Sequence, residues 1–236
     1  MLKNKTADLA KIFPGKTGRL AVFLLGTSLF LYLLTALLGP RLILRFALVG
    51  NIGLAMLPAL FAALLLHRSR QGKRGFLSAL WGTLWLMFFP NAPYMLTDGI
   101  HIALYQYDYG YVASPAGEPW LWLGYLLFTV AIGCAWGYVS LYWLHTLLRQ
   151  HRGRAAGWAF CAAAALLGGA GIYMGRFIRL NSWVMLHPLQ LLARLWAHIN
   201  GQSAFFLLLF TAMTAGGYLL FYFCVDNMQA ERRAEE

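Results

Sequence analysis

Six mostly apolar runs dominate the chain, near 20–38, 43–66, 75–96, 120–146, 156–175 and 204–224. A helix needs about 20 such residues to cross a hydrocarbon core about 30 Å thick, and each run reaches or approaches that length. Inside a bilayer every backbone polar group has to find its partner within the protein, so continuous apolar runs of this length cross as helices. The expected fold is all-α: a polytopic membrane helix bundle of about six transmembrane helices. Residues 20–225 form one membrane domain, preceded by a basic arm, 1–19, and followed by a short tail, 226–236. Only 11% of the 236 residues are charged, well short of the roughly 25% of a soluble domain.

The net charge of +11 would suit a nucleic-acid binder, but its distribution does not. The cations sit in short runs between apolar stretches rather than along one polar face. Lys3, Lys5, Lys11, Lys16 and Arg19 precede the first span; Arg68, Arg70, Lys73 and Arg74 follow the second; Arg149, Arg152 and Arg154 follow the fourth; Arg232 and Arg233 lie in the tail. The alternate connections hold only Arg41, Arg45, Arg176, Arg179 and Arg194. Fourteen cations against five put the first side in the cytoplasm, with both termini there. The partner implied is the lipid bilayer, with no role for nucleic acid; protein partners and oligomeric state are not encoded in any recognisable feature. The first apolar run exceeds the 7–15 residues of a signal-peptide core, so it reads as an uncleaved anchor.

Several motif-like features carry no chemistry. Pro14-Gly-Lys-Thr17 resembles the end of a phosphate-binding loop, but Ala10 stands where the first glycine belongs and a membrane span follows. Asn4-Lys5-Thr6 matches a glycosylation acceptor on the side where that modification does not occur. Cys134, Cys161 and Cys224 lie in or beside apolar runs, as small packing residues do. The glycine pairs Gly133/Gly137 and Gly171/Gly175 have the spacing that lets helices approach closely in lipid, and they are expected to bring spans four and five together.

The third run is where chemistry concentrates. From Gly75 to Phe89 a helix rises about 21 Å, short of the far surface, and the chain then reads Pro90-Asn91-Ala92-Pro93. Two prolines so close are expected to break the span at Pro90–Pro93, and backbone freed there must be satisfied by protein or by a wet cavity. Broken helices of this kind line binding sites in transporters. Beyond the break, Tyr94, Asp98, His101 and Tyr105 fall on one helical face. Asp98 and His101 are spaced to share a ligand, which makes Asp98, His101 and Asp108 a candidate divalent-metal set, although a hydrogen-bonded carboxylate–imidazole pair fits the same spacing.

Charge patterning adds a second constraint. No Lys or Arg occurs from Gly75 to Leu148, where Asp98, Asp108 and Glu118 lie. No Asp or Glu occurs from Pro119 to Val225, where Arg176, Arg179 and Arg194 lie on the same outer side. Charges at membrane depth are costly and usually paired or functional, so Asp98, with Asp108, is expected to pair with Arg176 or Arg179. Asn51, buried in span two, either caps the broken backbone or makes a helix–helix hydrogen bond. Tyr105, Tyr107, Tyr109 and Tyr111 alternate as an interfacial aromatic belt does, although a stacking surface for a sugar or ring fits the same pattern. The stretch 188–200 is expected to be a short interfacial helix on the outer side, with His187, Gln190, Arg194 and His198 on its polar side.

The runs Phe89-Pro-Asn-Ala-Pro-Tyr-Met-Leu-Thr-Asp-Gly-Ile-His101 and Gly175-Arg-Phe-Ile-Arg-Leu-Asn-Ser-Trp183 resemble hallmark segments of a bacterial membrane family known as domain of unknown function 1361. The resemblance extends over most of the chain from span two onward. It implies a bacterial cytoplasmic (inner) membrane location and points to those runs, without supplying an activity. Val184 and Gly99 depart from the family pattern, in which an acidic residue and a leucine are common.

The ligand-binding set expected from the residues is Asn91, Tyr94, Asp98, His101, Asp108, Arg176, Arg179, Asn181 and Trp183. Three functions fit it. A transporter of a small molecule or ion would use the broken span. A membrane enzyme acting at the outer face on a lipid-linked or anionic substrate would use His101 as general base, oriented by Asp98, with Arg176 and Arg179 holding the anion. A structural or assembly protein would use the charges to lock the outer loops together.

Overall fold

The computed structural model describes residues 15–37, 43–100, 118–178 and 200–235, and among these every regular element is helical. In chain order they are α1 (Gly15–Leu37), α2 (Ile43–Arg70), α3 (Phe76–Phe88), α4 (Asn91–Tyr94), a 3-10 segment (Met95–Ile100), α5 (Glu118–Arg152), α6 (Arg154–Tyr173), a π-helical turn (Met174–Ile178) and α7 (Gly201–Glu235). Five of them, α1, α2, α5, α6 and α7, are long and apolar enough to cross a membrane. The third apolar run is divided among α3, α4 and the 3-10 segment. The expected interfacial helix at 188–200 lies almost wholly outside the described residues.

Large apolar side chains face outward from the bundle, including Phe23, Leu33, Phe205 and Leu220. Water does not tolerate so continuous an apolar surface, and a bilayer requires it. The protein is a multi-pass membrane protein.

Two tight connections gather the cations at one end. After α2, Gly72 has φ +68°, a left-handed position that glycine adopts without strain. The Lys73 N–H then bonds the Arg68 carbonyl at 3.0 Å and the Gly72 N–H bonds that of Ser69 at 3.0 Å, which caps the helix end. Between α5 and α6 only Gly153 intervenes, at φ +90°. Both hairpins turn at the end that carries Arg68–Arg74 and Arg149–Arg154, called here the basic end.

α5 is the central helix, packing against α1, α2, α6 and the α4 region, while α7 lies mainly against α6. The face of α2 toward the core is Ile52, Ala55, Ala59, Ala62, Ala63 and Leu66, all buried. Their spacing of three and four makes a single stripe, and its alanines let α2 come close to its neighbours. Hydroxyls fix the register of α1 against α5: Trp143 Nε1 donates to Thr17 Oγ1 at 2.8 Å, Trp136 Nε1 to Ser28 Oγ at 3.1 Å, and Thr35 Oγ1 shares a 2.9 Å bond with Tyr125 OH. As α1 numbering rises that of α5 falls, so the two are antiparallel. Trp85 of α3 donates to Ser140 of α5 in the same manner, at 3.2 Å.

The Ser28 hydroxyl also donates to the Leu24 carbonyl at 2.7 Å, so its oxygen is placed to accept from Trp136. Replacing Trp136 by Phe is expected to cost about 0.6 kcal/mol, and at most about 1.7, the range of hydrogen bonds between membrane helices. Unfolding in mixed micelles measures it, and Ser28→Ala in the Trp136→Phe background should then add little.

Candidate functional site

α3 closes at Phe88, two residues before Pro90. Phe89 N–H still bonds the Trp85 carbonyl at 2.8 Å, but Pro90 has no N–H to continue the ladder. The chain keeps right-handed helical dihedrals through Phe89 (φ −52°, ψ −40°) and Pro90 (φ −60°, ψ −21°) and re-forms as α4, closed by Tyr94 N–H on the Pro90 carbonyl at 3.0 Å. Asn91 Nδ2 donates to the Phe88 carbonyl at 2.9 Å, one of those left over at the end of α3. From Met95 the chain tightens to a 3-10 segment, with Thr97 Oγ1 on the Tyr94 carbonyl at 2.7 Å.

Glycines of α5, α6 and the π turn seat this segment. A Cβ at Gly137 would come within 2.5 Å of Ala92 Cβ, and one at Gly168 within 3.1 Å of Pro93 Cγ. A Cβ at Gly175 would sit 3.0 Å from the Tyr94 ring; at Gly171 it would overlap Pro90, and at Gly133 it would overlap Met95. Both glycine pairs thus receive the segment between Pro90 and Met95. α5 and α6 do pack on each other, but the close approach the glycines permit is to a third chain segment rather than between those two helices.

The seating carries Asp98 into the bundle at the end remote from the basic turns. Its side chain is 2% exposed. Oδ1 lies 3.3 Å from Arg176 Nη2, and Oδ2 accepts from Asn51 Nδ2 at 3.1 Å. Arg176 belongs to the π-helical turn after α6 and donates through the same Nη2 to the Thr97 carbonyl at 2.6 Å. Its guanidinium carbon lies 5.2 Å from the centre of the Tyr94 ring, within cation–π range. Three helical segments therefore meet on one carboxylate: Asn51 from α2, Asp98 from the 3-10 segment and Arg176 from the π turn. A buried carboxylate without partners would cost several kcal/mol, and this one has both oxygens engaged. Arg176 remains 25% exposed, and its bonds among the described residues all run through Nη2.

Of the expected ligand set, Tyr94, Asp98 and Arg176 come together, and Asn91 caps α3 nearby. His101, Asp108, Arg179, Asn181 and Trp183 lie outside the described residues. Of the metal set only Asp98 is described, and no group of three His, Cys, Asp or Glu able to hold a metal occurs among the described residues.

One polar cluster escaped the sequence analysis. His145 of α5 is buried, with Nδ1 2.7 Å from Tyr218 OH and its ring against Trp158 and Tyr222; Arg149 Nη1 donates to Tyr222 OH at 3.0 Å. In the sequence Tyr218 and Tyr222 stand four apart and His145 lies within an apolar run, but nothing there pairs them.

Fold and site together define a multi-pass helical membrane protein with a buried charged cluster at one end. A family profile described as protein of unknown function (DUF1361) matches residues 51–215, and the chain belongs to that family. The match covers Asn51, Asp98 and Arg176 and starts after α1. No curated protein and no solved structure matches the chain.

The seat has a steric consequence. Gly137→Ala and Gly171→Ala are each expected to destabilise the protein by about 1–3 kcal/mol, as overpacking does. Gly124→Ala, where a Cβ meets nothing within 4 Å, should be neutral or gain up to about 1 kcal/mol from helix propensity. Unfolding of the three variants in bicelles distinguishes the seat from a general intolerance of alanine.

Proposed function

We propose that the protein is a carrier of the bacterial cytoplasmic membrane, with both termini in the cytoplasm and an outward-facing site that recognises a small anion. The orientation rests on the excess of Lys and Arg at the basic end. The recognition element is Arg176, and the observation that carries this reading is its asymmetric use. Nη2 holds Asp98 and Thr97, while Nε and Nη1 have no partner among the described residues. A guanidinium presents five N–H donors in a fixed fork, so an anchored arginine with donors to spare suits a phosphate or carboxylate.

Asp98 and Asn51 act as positioning residues that fix the guanidinium, and Tyr94 supports its face. In this reading Asn91, His101, Asp108, Arg179, Asn181 and Trp183 also take part in binding, the last five lying outside the described residues. Both helical segments of the site depart from α geometry, α3–α4 into a 3-10 segment and α6 into a π turn. Such departures mark hinges and functional sites, and they supply the movable parts that alternating access requires.

One observation favours a second reading. Both oxygens of Asp98 are engaged, as a static clasp closing the end of the bundle would require. Flux of labelled phosphate, sulfate and short carboxylates into proteoliposomes separates the two. A carrier should lose uptake of its anion at least tenfold with Arg176→Gln while remaining folded, and Asp98→Asn should weaken uptake less. Uptake unaffected by either change, or absent for the whole anion panel in the wild type, would leave the clasp reading standing.

A further inference from the structure

The basic end carries a groove that the site around Asp98 does not use. It runs between α2, α3, α5 and α6 with a volume of about 480 Å³, within the range of about 300–1,000 Å³ typical of small-molecule sites. Its rim is polar and basic: Ser69, Arg74, His151 and Arg152. Below the rim the lining turns apolar, with Trp85, Leu86, Leu144 and Phe160. Gly82 forms part of the wall, and a Cβ there would meet nothing within 4 Å. The groove is open at that point because the sequence places no side chain in it.

Depth and charge identify the occupant. From Phe76 at the start of α3 to Leu86 the helix rises about 15 Å, half of a hydrocarbon core about 30 Å thick. The groove therefore extends from the membrane surface through one leaflet. Leu86 is 48% exposed on the outer surface of a transmembrane bundle, so this flank opens to lipid. The rim has no acidic neighbour in sequence: no Asp or Glu occurs from Leu9 to Thr97 or from Pro119 to Val225. Among the described residues neither Arg74 nor Arg152 is paired with a carboxylate. Two unpaired guanidinium groups over an apolar slot one leaflet deep match a phosphate head with an acyl chain beneath it.

We propose that this groove is a specific site for an anionic glycerophospholipid of the leaflet at the basic end. The phosphate lies between Arg74 and Arg152, Ser69 hydrogen-bonds the head group, and one acyl chain runs past Gly82 along Trp85, Leu86 and Phe160. The inference is independent of any role for Asp98 and Arg176.

Native mass spectrometry of the delipidated full-length protein, titrated with phosphatidylglycerol or phosphatidylcholine of the same chains, tests it. Phosphatidylglycerol adducts should survive collisional activation at least tenfold better than phosphatidylcholine adducts. The Arg74→Gln/Arg152→Gln variant should abolish that preference. Gly82→Phe, which fills the slot and leaves the charges in place, should reduce retention of phosphatidylglycerol at least fivefold with an unchanged helical circular dichroism spectrum. Equal retention of the two lipids would overturn the proposal, and so would retention indifferent to both variants. Competition by glycerol phosphate at concentrations equal to the lipid would also overturn it, since the occupant would then be a soluble anion.

Discussion

A carboxylate buried in an apolar bundle has to be matched by a counter-charge and hydrogen-bond donors, and in this protein that need ties together parts far apart in sequence. Asp98 draws Asn51 from α2 on one oxygen and Arg176 from the end of α6 on the other. Without them, burial would cost several kcal/mol and the group would protonate or leave the interior. The packing of the third apolar run is shaped to deliver that carboxylate. Pro90 ends α3 early, the chain tightens into the 3-10 segment, and the glycines of α5, α6 and the π turn remove the side chains that would block its path.

The two ends of the bundle solve different electrostatic problems. At the basic end, cations collect on short hairpin turns capped by Gly72 and Gly153, with few acidic residues near in sequence. At the far end the cation is partly withdrawn from solvent and paired within the protein. An arginine held in that way has its orientation fixed by the protein itself.

Much of this was legible in the sequence because membranes impose simple rules. Apolar run length gives the helices, and the unequal distribution of Lys and Arg gives the grouping of the turns. The Asp98–Arg176 pair was foreshadowed by an acid-only stretch facing an arginine-only stretch. Other features were illegible for definite physical reasons. Gly133/Gly137 and Gly171/Gly175 show where close approach is permitted but not which segment approaches, since spacing carries no information about the partner. Asn51 offered two readings, a backbone cap or a bond between helices, and only three-dimensional packing selects Asp98 as its acceptor. The contact of His145 with Tyr218 pairs residues on α5 and α7 with no shared motif, so neither residue pointed to the other.

The central claim is that Asp98 and Arg176 form one energetic unit, and a double-mutant cycle with Asp98→Asn and Arg176→Gln, read by reversible unfolding in bicelles, tests it most directly. Removing Arg176 alone takes the counter-charge from a buried carboxylate that keeps its bond from Asn51, so that single change should cost up to about 3–5 kcal/mol. In the Asp98→Asn background the same change should cost far less, giving a coupling energy of at least about 1.5 kcal/mol. Single effects that add to within about 0.5 kcal/mol would mean the two side chains are neighbours without being partners, and would contradict the account.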